Sequence, residues 1–173
     1  MKTGRLKAFD FKKWIGSTEV QQAQWNVRSW LIGAREGLDR AYLFFFNDDD
    51  TPHLHASRGL TREFRPKPAF HAAAWLQRSL GDYRFSKVLE ENLDGTYAYE
   101  FTHESGPGKR IVAAWQPKVG ASVAVLTTAG SKVVKAEVMP LNDAAPGSVK
   151  IETAAEGTIR VPISDSPTLI WIE

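Results

Sequence analysis

The stretch that most constrains the fold is a run of large apolar residues, Ala41-Tyr42-Leu43-Phe44-Phe45-Phe46, which ends abruptly in Asn47-Asp48-Asp49-Asp50. Successive side chains of a strand point to opposite faces, so an unbroken apolar run predicts a strand covered on both faces, as in a parallel sheet enclosed by helices. The run is shorter than an average helix, and its aromatic content favours β structure. We therefore predict a buried strand here.

Helices are predicted on both sides of this strand. Thr18 followed by Gln21 is a capping-box pattern, apolar residues then recur at three- and four-residue spacing, and Gly37 suits the end of the helix. A second helix is predicted to begin at Pro68. A parallel strand needs parallel neighbours, and the sequence offers no second strand of this type. Residues 1–82 are accordingly predicted to be the last piece of an α/β unit whose earlier pieces lie elsewhere.

From Tyr83 onwards, apolar and polar residues alternate in short runs separated by turn clusters. Seven or eight strands at this spacing predict an antiparallel β-sandwich over residues 83–173. Tyr97, Tyr99 and Phe101 share one face and, with Trp115, fit a core row; a sugar-stacking platform is the alternative. The predicted fold class is α+β overall, a helix-strand-helix remnant followed by a β-sandwich.

Composition excludes several functional classes. The chain has no cysteine, which rules out disulfides, thiolate metal sites and thiol nucleophiles. A formal net charge of +2 with mixed charge spacing gives no basis for a nucleic-acid partner or an anionic membrane. No segment has the roughly 18 apolar residues of a membrane span. No cofactor is expected, and no glycine-rich phosphate loop occurs. A Ser-His-Asp hydrolase is discounted because the sequence has no Gly-x-Ser-x-Gly elbow.

Several short motifs together resemble the end of a (β/α)8-barrel glycoside hydrolase. They are the glutamine-rich first turn, the aromatic run ending in Asn-Asp-Asp, a Gly-Leu pair, a Pro-Lys-Pro-Ala-Phe-His-Ala segment and the closing apolar run, at residues 17–23, 41–49, 59–60, 66–72 and 164–173. In that clan, which includes families 39 and 5, the seventh helix, eighth strand and eighth helix precede a C-terminal β-sandwich. Phe70 stands where these enzymes usually have Tyr. The resemblance makes residues 1–82 the C-terminal remnant of a barrel.

The resemblance implies retaining hydrolysis by two carboxylates, an acid/base Glu after the fourth strand and a nucleophile Glu on the seventh. The Asn-Glu pair of the first motif does not occur, and the Trp-x-Thr-Glu-Phe-Gly pattern of the second is absent before Thr18. Glu19 follows a Thr, but its place in a first helical turn suits a residue that complements the helix dipole. We therefore expect no catalysis by this chain alone.

Two functions remain open at this stage. The first is the C-terminal segment of a glycoside hydrolase, which supplies barrel closure and an accessory sandwich; its partners are the carbohydrate substrate of the full-length enzyme and the rest of the barrel, or another chain. The second is a free-standing β-sandwich module that binds carbohydrate or protein. The compartment stays open, and any export signal would belong to a longer precursor.

The most site-like segment is the loop of about twenty residues that follows the apolar run, since long loops in compact domains are usually functional. Asn47, Asp48 and Asp49 stand at the strand's C-terminal end, where barrel enzymes build their sites, and His53 and His55 follow. We predict that these five residues contact substrate hydroxyl groups. The alternatives are Asx turns within the loop and a zinc site, which lacks two further well-spaced ligands.

Overall fold

The computed structural model describes residues 16–48, 58–93, 95–118, 120, 122–127, 130–153 and 157–173. These residues form two helices, α1 (Glu19–Arg35) and α2 (Pro68–Leu80). A small sheet contains β1 (Asn47–Asp48), β2 (Thr61–Arg62) and β3 (Arg65–Pro66). A six-stranded sheet runs, edge to edge, through β4 (Tyr83–Glu91), β5 (Tyr97–His103), β6 (Arg110–Trp115), β12 (Thr168–Ile172), β8 (Val133–Val138) and β9 (Gly147–Ser148). A three-stranded sheet contains β10 (Glu152–Thr153), β11 (Thr158–Ile163) and β7 (Ser122–Thr127).

Both helices begin as the sequence predicts. The Thr18 hydroxyl accepts a hydrogen bond from the Gln21 backbone at 3.1 Å, and the Gln21 side chain accepts one from the Thr18 backbone at 2.9 Å, which completes the capping box. Gly37, just beyond α1, has a φ of +75°, a conformation that glycine adopts without strain. Pro68 is the first residue of α2, where its missing N–H is not needed. Neither described helix is long and apolar enough to cross a bilayer.

The six-stranded sheet is the central layer, and each of its faces buries an apolar cluster. All five of its strand pairs are antiparallel. On one face, residues of β5 and β6 pack against α1 and α2. On the other face, alternate residues of β5, β6 and β12 pack against β7 and β11 of the three-stranded sheet. The predicted sandwich is therefore present, with the helices as a third layer.

The aromatic row of β5 and β6 belongs to the core, as predicted, but it lies on the helix side. Tyr97, Tyr99, Phe101 and Trp115 cluster with the apolar face of α1, and not between the two sheets. The rings of Tyr97 and Trp115 are stacked with centroids 5.0 Å apart, and Tyr99 meets Trp115 edge to face at 5.1 Å. These rings join the sheet to the helices.

The predicted buried strand over Ala41–Phe46 is wrong. In this part of the chain the structure forms only the short strand β1, which pairs in parallel with β2. The residues before β1 are irregular, and Phe45 has a φ of 69°. Tyr42 is 82% exposed and Phe44 79% exposed. A strand is held by a ladder of hydrogen bonds to its neighbours. Of residues 41–46, the Phe46 carbonyl accepts hydrogen bonds from the backbones of Leu60 and Thr61, but no described segment forms a strand ladder with this run.

Helix α1 is also tied to the loop that leads into the last strand. The Gln24 side chain donates to the Ser166 hydroxyl at 3.0 Å, and the Arg28 guanidinium donates to the Asp165 carbonyl. Burial lowers the pKa of Arg28, and the charge of Asp165 opposes this shift. The loop before β12 is thereby held against the helix that the aromatic row also contacts.

Trp115→Ala should lower the free energy of unfolding by about 3–5 kcal/mol, because it opens a cavity in the layer between helices and sheet. Urea denaturation followed by circular dichroism measures the change. Leu93→Ala, at an exposed position, is the control and should stay within about 0.5 kcal/mol. Equal effects of the two substitutions would show that the aromatic layer is not the core.

Stability should fall as the pH rises above about 10. Burial raises the pKa of Tyr99, and the Glu91 carboxylate, which accepts the phenol hydrogen bond at 3.1 Å, raises it further. The folded state therefore keeps a proton that the unfolded chain loses at alkaline pH. Burial also raises the pKa of Tyr83, so Tyr99→Phe should reduce the slope of stability against pH without removing it.

Candidate functional site

Asp48 is the centre of the polar cluster at the C-terminal end of β1. Its Oδ2 accepts hydrogen bonds from Lys67 Nζ at 2.9 Å and from the Arg62 guanidinium at 3.1 Å, and its Oδ1 accepts one from the Gly59 backbone at 2.7 Å. The side chains of Asp48 and Lys67 are 1% and 4% exposed. A buried charge is tolerated only when it is paired and hydrogen-bonded, and both conditions hold here.

Gly59 is required by the close approach of two backbone segments. A Cβ at this position would lie 2.7 Å from the Asp48 backbone nitrogen and 2.9 Å from the Phe46 carbonyl oxygen. The Gln22 side chain then donates to the carbonyls of Arg58 and Gly59 at 2.7 and 3.1 Å. The glutamine-rich first turn of α1 therefore fixes the segment that enters β2.

Asn47 holds the hairpin formed by β2 and β3. Its Oδ1 accepts from the Thr61 hydroxyl at 2.9 Å and from the Phe64 backbone at 2.8 Å. Its Nδ2 donates to the Asp48 carbonyl at 2.8 Å. A further ion pair of 2.8 Å joins Arg62 to Glu19 at the start of α1. Glu19 therefore has a second role besides its position in the first helical turn.

The hairpin turns through two residues that both have positive φ angles. Glu63 has a φ of 49° and Phe64 a φ of 59°, and Arg62 and Arg65 form the flanking pair. Two-residue hairpins favour such angles because they match the strand twist, but Asn-Gly normally supplies them. Phe64 projects from the tip with 79% of its surface exposed.

The structure brings together two of the five residues predicted to contact substrate. Asn47 and Asp48 lie side by side under the hairpin, while Asp49, His53 and His55 lie outside the described residues. Both carboxylate oxygens of Asp48 already accept hydrogen bonds, so this residue positions the hairpin. Substrate contact by the five residues stays a prediction. Among the residues that the structure describes, no cluster of three or more potential ligands could hold a metal ion.

Sequence reasoning missed the residues that complete this cluster: Arg62, Phe64 and Lys67. Lys67 directly precedes the proline that opens α2, and lysine is rarely buried without a partner. The segment containing it was recognised only as part of a motif. A signal for Lys67 was available in the acidic run at the end of β1, which needs a cation once buried. No comparable sequence signal marks Phe64, because its exposure follows from the turn.

An apolar cleft of about 660 Å³ lies between α1, α2 and the start of β4. Trp30, Leu76, Leu80 and Phe85 line it, together with Leu43 from the irregular run. Ligand sites of this size usually combine apolar walls with a few convergent polar groups. The polar residues at this cleft are Asp39, Arg40, Gln77 and Arg84. Ala41 of the same irregular run also lines the cleft.

No protein-family model matches the sequence, and no curated protein does. Solved structures do match. A family 39 glycoside hydrolase from the gut symbiont Bacteroides cellulosilyticus WH2 superposes with a TM-score of 0.67 and 21% identity, over 91% of this chain and 31% of that chain. Xyn30A from Clostridium acetobutylicum, a family 30 subfamily 8 xylanase, superposes with a TM-score of 0.62 and 14% identity, over 92% of this chain and 41% of that chain.

The fold of this chain is similar to that of part of each of these two glycoside hydrolases. This confirms, at the level of fold, the resemblance carried by the short motifs. The chain spans only 31% and 41% of the lengths of the two solved structures. At such low sequence identity the match establishes architecture, and activity has to be argued from the residues.

Asp48→Asn should destabilise the protein by about 3–5 kcal/mol, because it removes one negative charge of a buried ion pair with Lys67. Adding Lys67→Met should recover at least half of the loss. Arg84→Ala breaks the exposed pair with Glu104 and is the control, with an expected cost of about 0–1 kcal/mol. Urea unfolding of the wild type, Asp48→Asn, the double variant and Arg84→Ala measures these differences in stability. A double variant as unstable as Asp48→Asn would contradict the ion-pair account.

Proposed function

We propose that this chain is the C-terminal segment of a glycoside hydrolase, where it closes the barrel and carries an accessory β-sandwich. The observation that supports this most directly is an uncovered apolar surface on the helix-strand-helix part. Trp25 is 52% exposed and Phe46 is 59% exposed, and Tyr42 and Phe44 are exposed as well. We call Tyr42, Phe44 and Phe46 together the aromatic rim.

The aromatic rim is unusual because large exposed apolar patches on soluble proteins mark interaction sites. In a complete barrel, every strand has two neighbours and an outer helix layer. The residues preceding β1 have the composition of such a strand, and α1 and α2 are placed as the helices before and after it. The share of the solved structures that this chain covers agrees with one part of a barrel plus a sandwich.

Carbohydrate is the substrate class that follows from this proposal. One structural neighbour is described as a glycoside hydrolase and another as a xylanase. The two catalytic glutamates would come from the rest of the barrel, since their motifs are absent from this sequence. In this arrangement the chain supplies one rim of the sugar cleft, at the C-terminal end of β1.

A free-standing binding module is the second candidate. The six-stranded sheet is covered on both faces by described segments of this same chain, by α1 and α2 on one face and by β7 and β11 on the other, so the core of this sheet needs no further unit. Under this alternative the aromatic rim would be an accessory surface and not a contact with further barrel units.

The isolated chain should bind the dye ANS and associate with increasing concentration, because the aromatic rim lies in water. Replacing Tyr42, Phe44 and Phe46 together by Ser should reduce both effects with little loss of stability. Val123→Ser with Val125→Ser, on the exposed face of β7, is the matched control and should change neither. Light scattering and dye fluorescence measure the outcome. A monomeric wild type without dye binding would favour the free-standing module.

The purified chain should not hydrolyse aryl glycosides. The coding sequence upstream of Met1 should encode the Asn-Glu and Thr-Glu motifs within earlier barrel units. Turnover by the 173-residue chain that disappears on changing one carboxylate would overturn the proposal. So would an upstream sequence without any barrel unit.

A further inference from the structure

The turn at Glu63 and Phe64 carries backbone strain. Both residues lie in the left-handed region, which is unfavourable for side chains with a Cβ and most of all for bulky ones. Outliers of this kind persist only where the surroundings enforce them, and they concentrate at functional sites. Replacement by Asn-Gly would remove the strain at no cost to the hairpin. The phenyl ring at Phe64 therefore needs an explanation beyond folding.

The surroundings of Phe64 hold its backbone in place. Its N–H donates to the Asn47 side chain, whose other contacts fix β1 and β2. The adjoining Arg62 is held by Glu19 and Asp48. Asp48 is in turn paired with Lys67 at the other end of the hairpin. A cluster of hydrogen bonds and ion pairs thus presents one exposed ring in a defined position.

The location of this ring adds to its significance. The hairpin follows β1, and its first strand, β2, runs parallel to β1, so the turn at its tip points beyond the C-terminal end of β1. Barrel enzymes build their substrate clefts from the loops at that end of the strands. The aromatic residues of the sandwich that were weighed as a sugar platform are buried, so they cannot take this role. Phe64 is fully available by comparison.

We propose that Phe64 is a stacking platform for a pyranose ring of the glycan that the full enzyme binds. This rests on the proposed function, because it takes carbohydrate as the ligand class. The apolar face of a pyranose matches a flat aromatic ring, and a ring whose backbone is already fixed loses little freedom on binding. The residue binds substrate and takes no part in bond cleavage.

The test measures binding of xylohexaose and of cellohexaose to the 173-residue chain by NMR titration. The wild type should bind one of them with a Kd in the millimolar range. Phe64→Ala should weaken this binding by about tenfold or more, and Phe64→Trp should retain it. Phe44→Ala is the matched control, since Phe44 and Phe64 are both 79% exposed and only Phe64 is held in a hydrogen-bonded hairpin. Phe44→Ala should leave the affinity unchanged.

A second variant separates the ring from the strain. Glu63→Asn with Phe64→Gly should raise Tm by about 2–4 °C, because Asn-Gly suits the turn, and should abolish the binding. A gain of stability together with a loss of binding is the trade-off expected where strain serves function. Unchanged binding in this variant would overturn the proposal.

The outcomes also distinguish this inference from the proposed function. The stacking role of Phe64 would be overturned if the wild type bound neither sugar, or if Phe44→Ala and Phe64→Ala lost the same affinity. The barrel-segment proposal is tested separately, by dye binding at the aromatic rim and by the upstream motifs, and it would stand if those tests succeed. Binding through Phe64 in a protein without upstream barrel units would support the platform and favour the free-standing module instead.

Discussion

The packing of the aromatic row of β5 and β6 against α1 is the contact on which the rest of the structure depends. Tyr97, Tyr99, Phe101 and Trp115 form a continuous layer between the six-stranded sheet and the helices. The opposite face of the same sheet packs on β7 and β11. A sheet covered on both sides fixes the position of each layer, and the two helices are thereby held where they can present β1 and its hairpin.

The polar cluster around Asp48 holds together β1, the hairpin of β2 and β3, and the start of α2. The buried Asp48 carboxylate accepts hydrogen bonds from Gly59, Arg62 and Lys67, so it joins β1, the hairpin and the entry to α2 as one unit. Gly59 permits the close backbone approach that this geometry needs. The same unit leaves one ring, Phe64, at the surface.

Two unfavourable features lie in the helix-strand-helix part, besides the positive φ angle of Phe45. The aromatic rim is exposed, and the turn at Glu63 and Phe64 is strained. Consistent sequences avoid such conflicts except where function requires them. Under the proposed function, further barrel units would cover the first feature and a glycan would use the second. Neither feature belongs to the core that α1, α2 and the two larger sheets form.

The sequence by itself determined the elements whose signals are local. The capping box at Thr18, the proline that opens α2 and the alternating strands after Tyr83 follow from residue chemistry and periodicity. Tertiary structure decided what depends on distant partners: which face the aromatic row covers, that no described strand forms a ladder with residues 41–46, and that Lys67 and Arg62 surround Asp48. Periodicity shows that a side chain is buried or exposed, but only the packing of distant segments determines what it contacts.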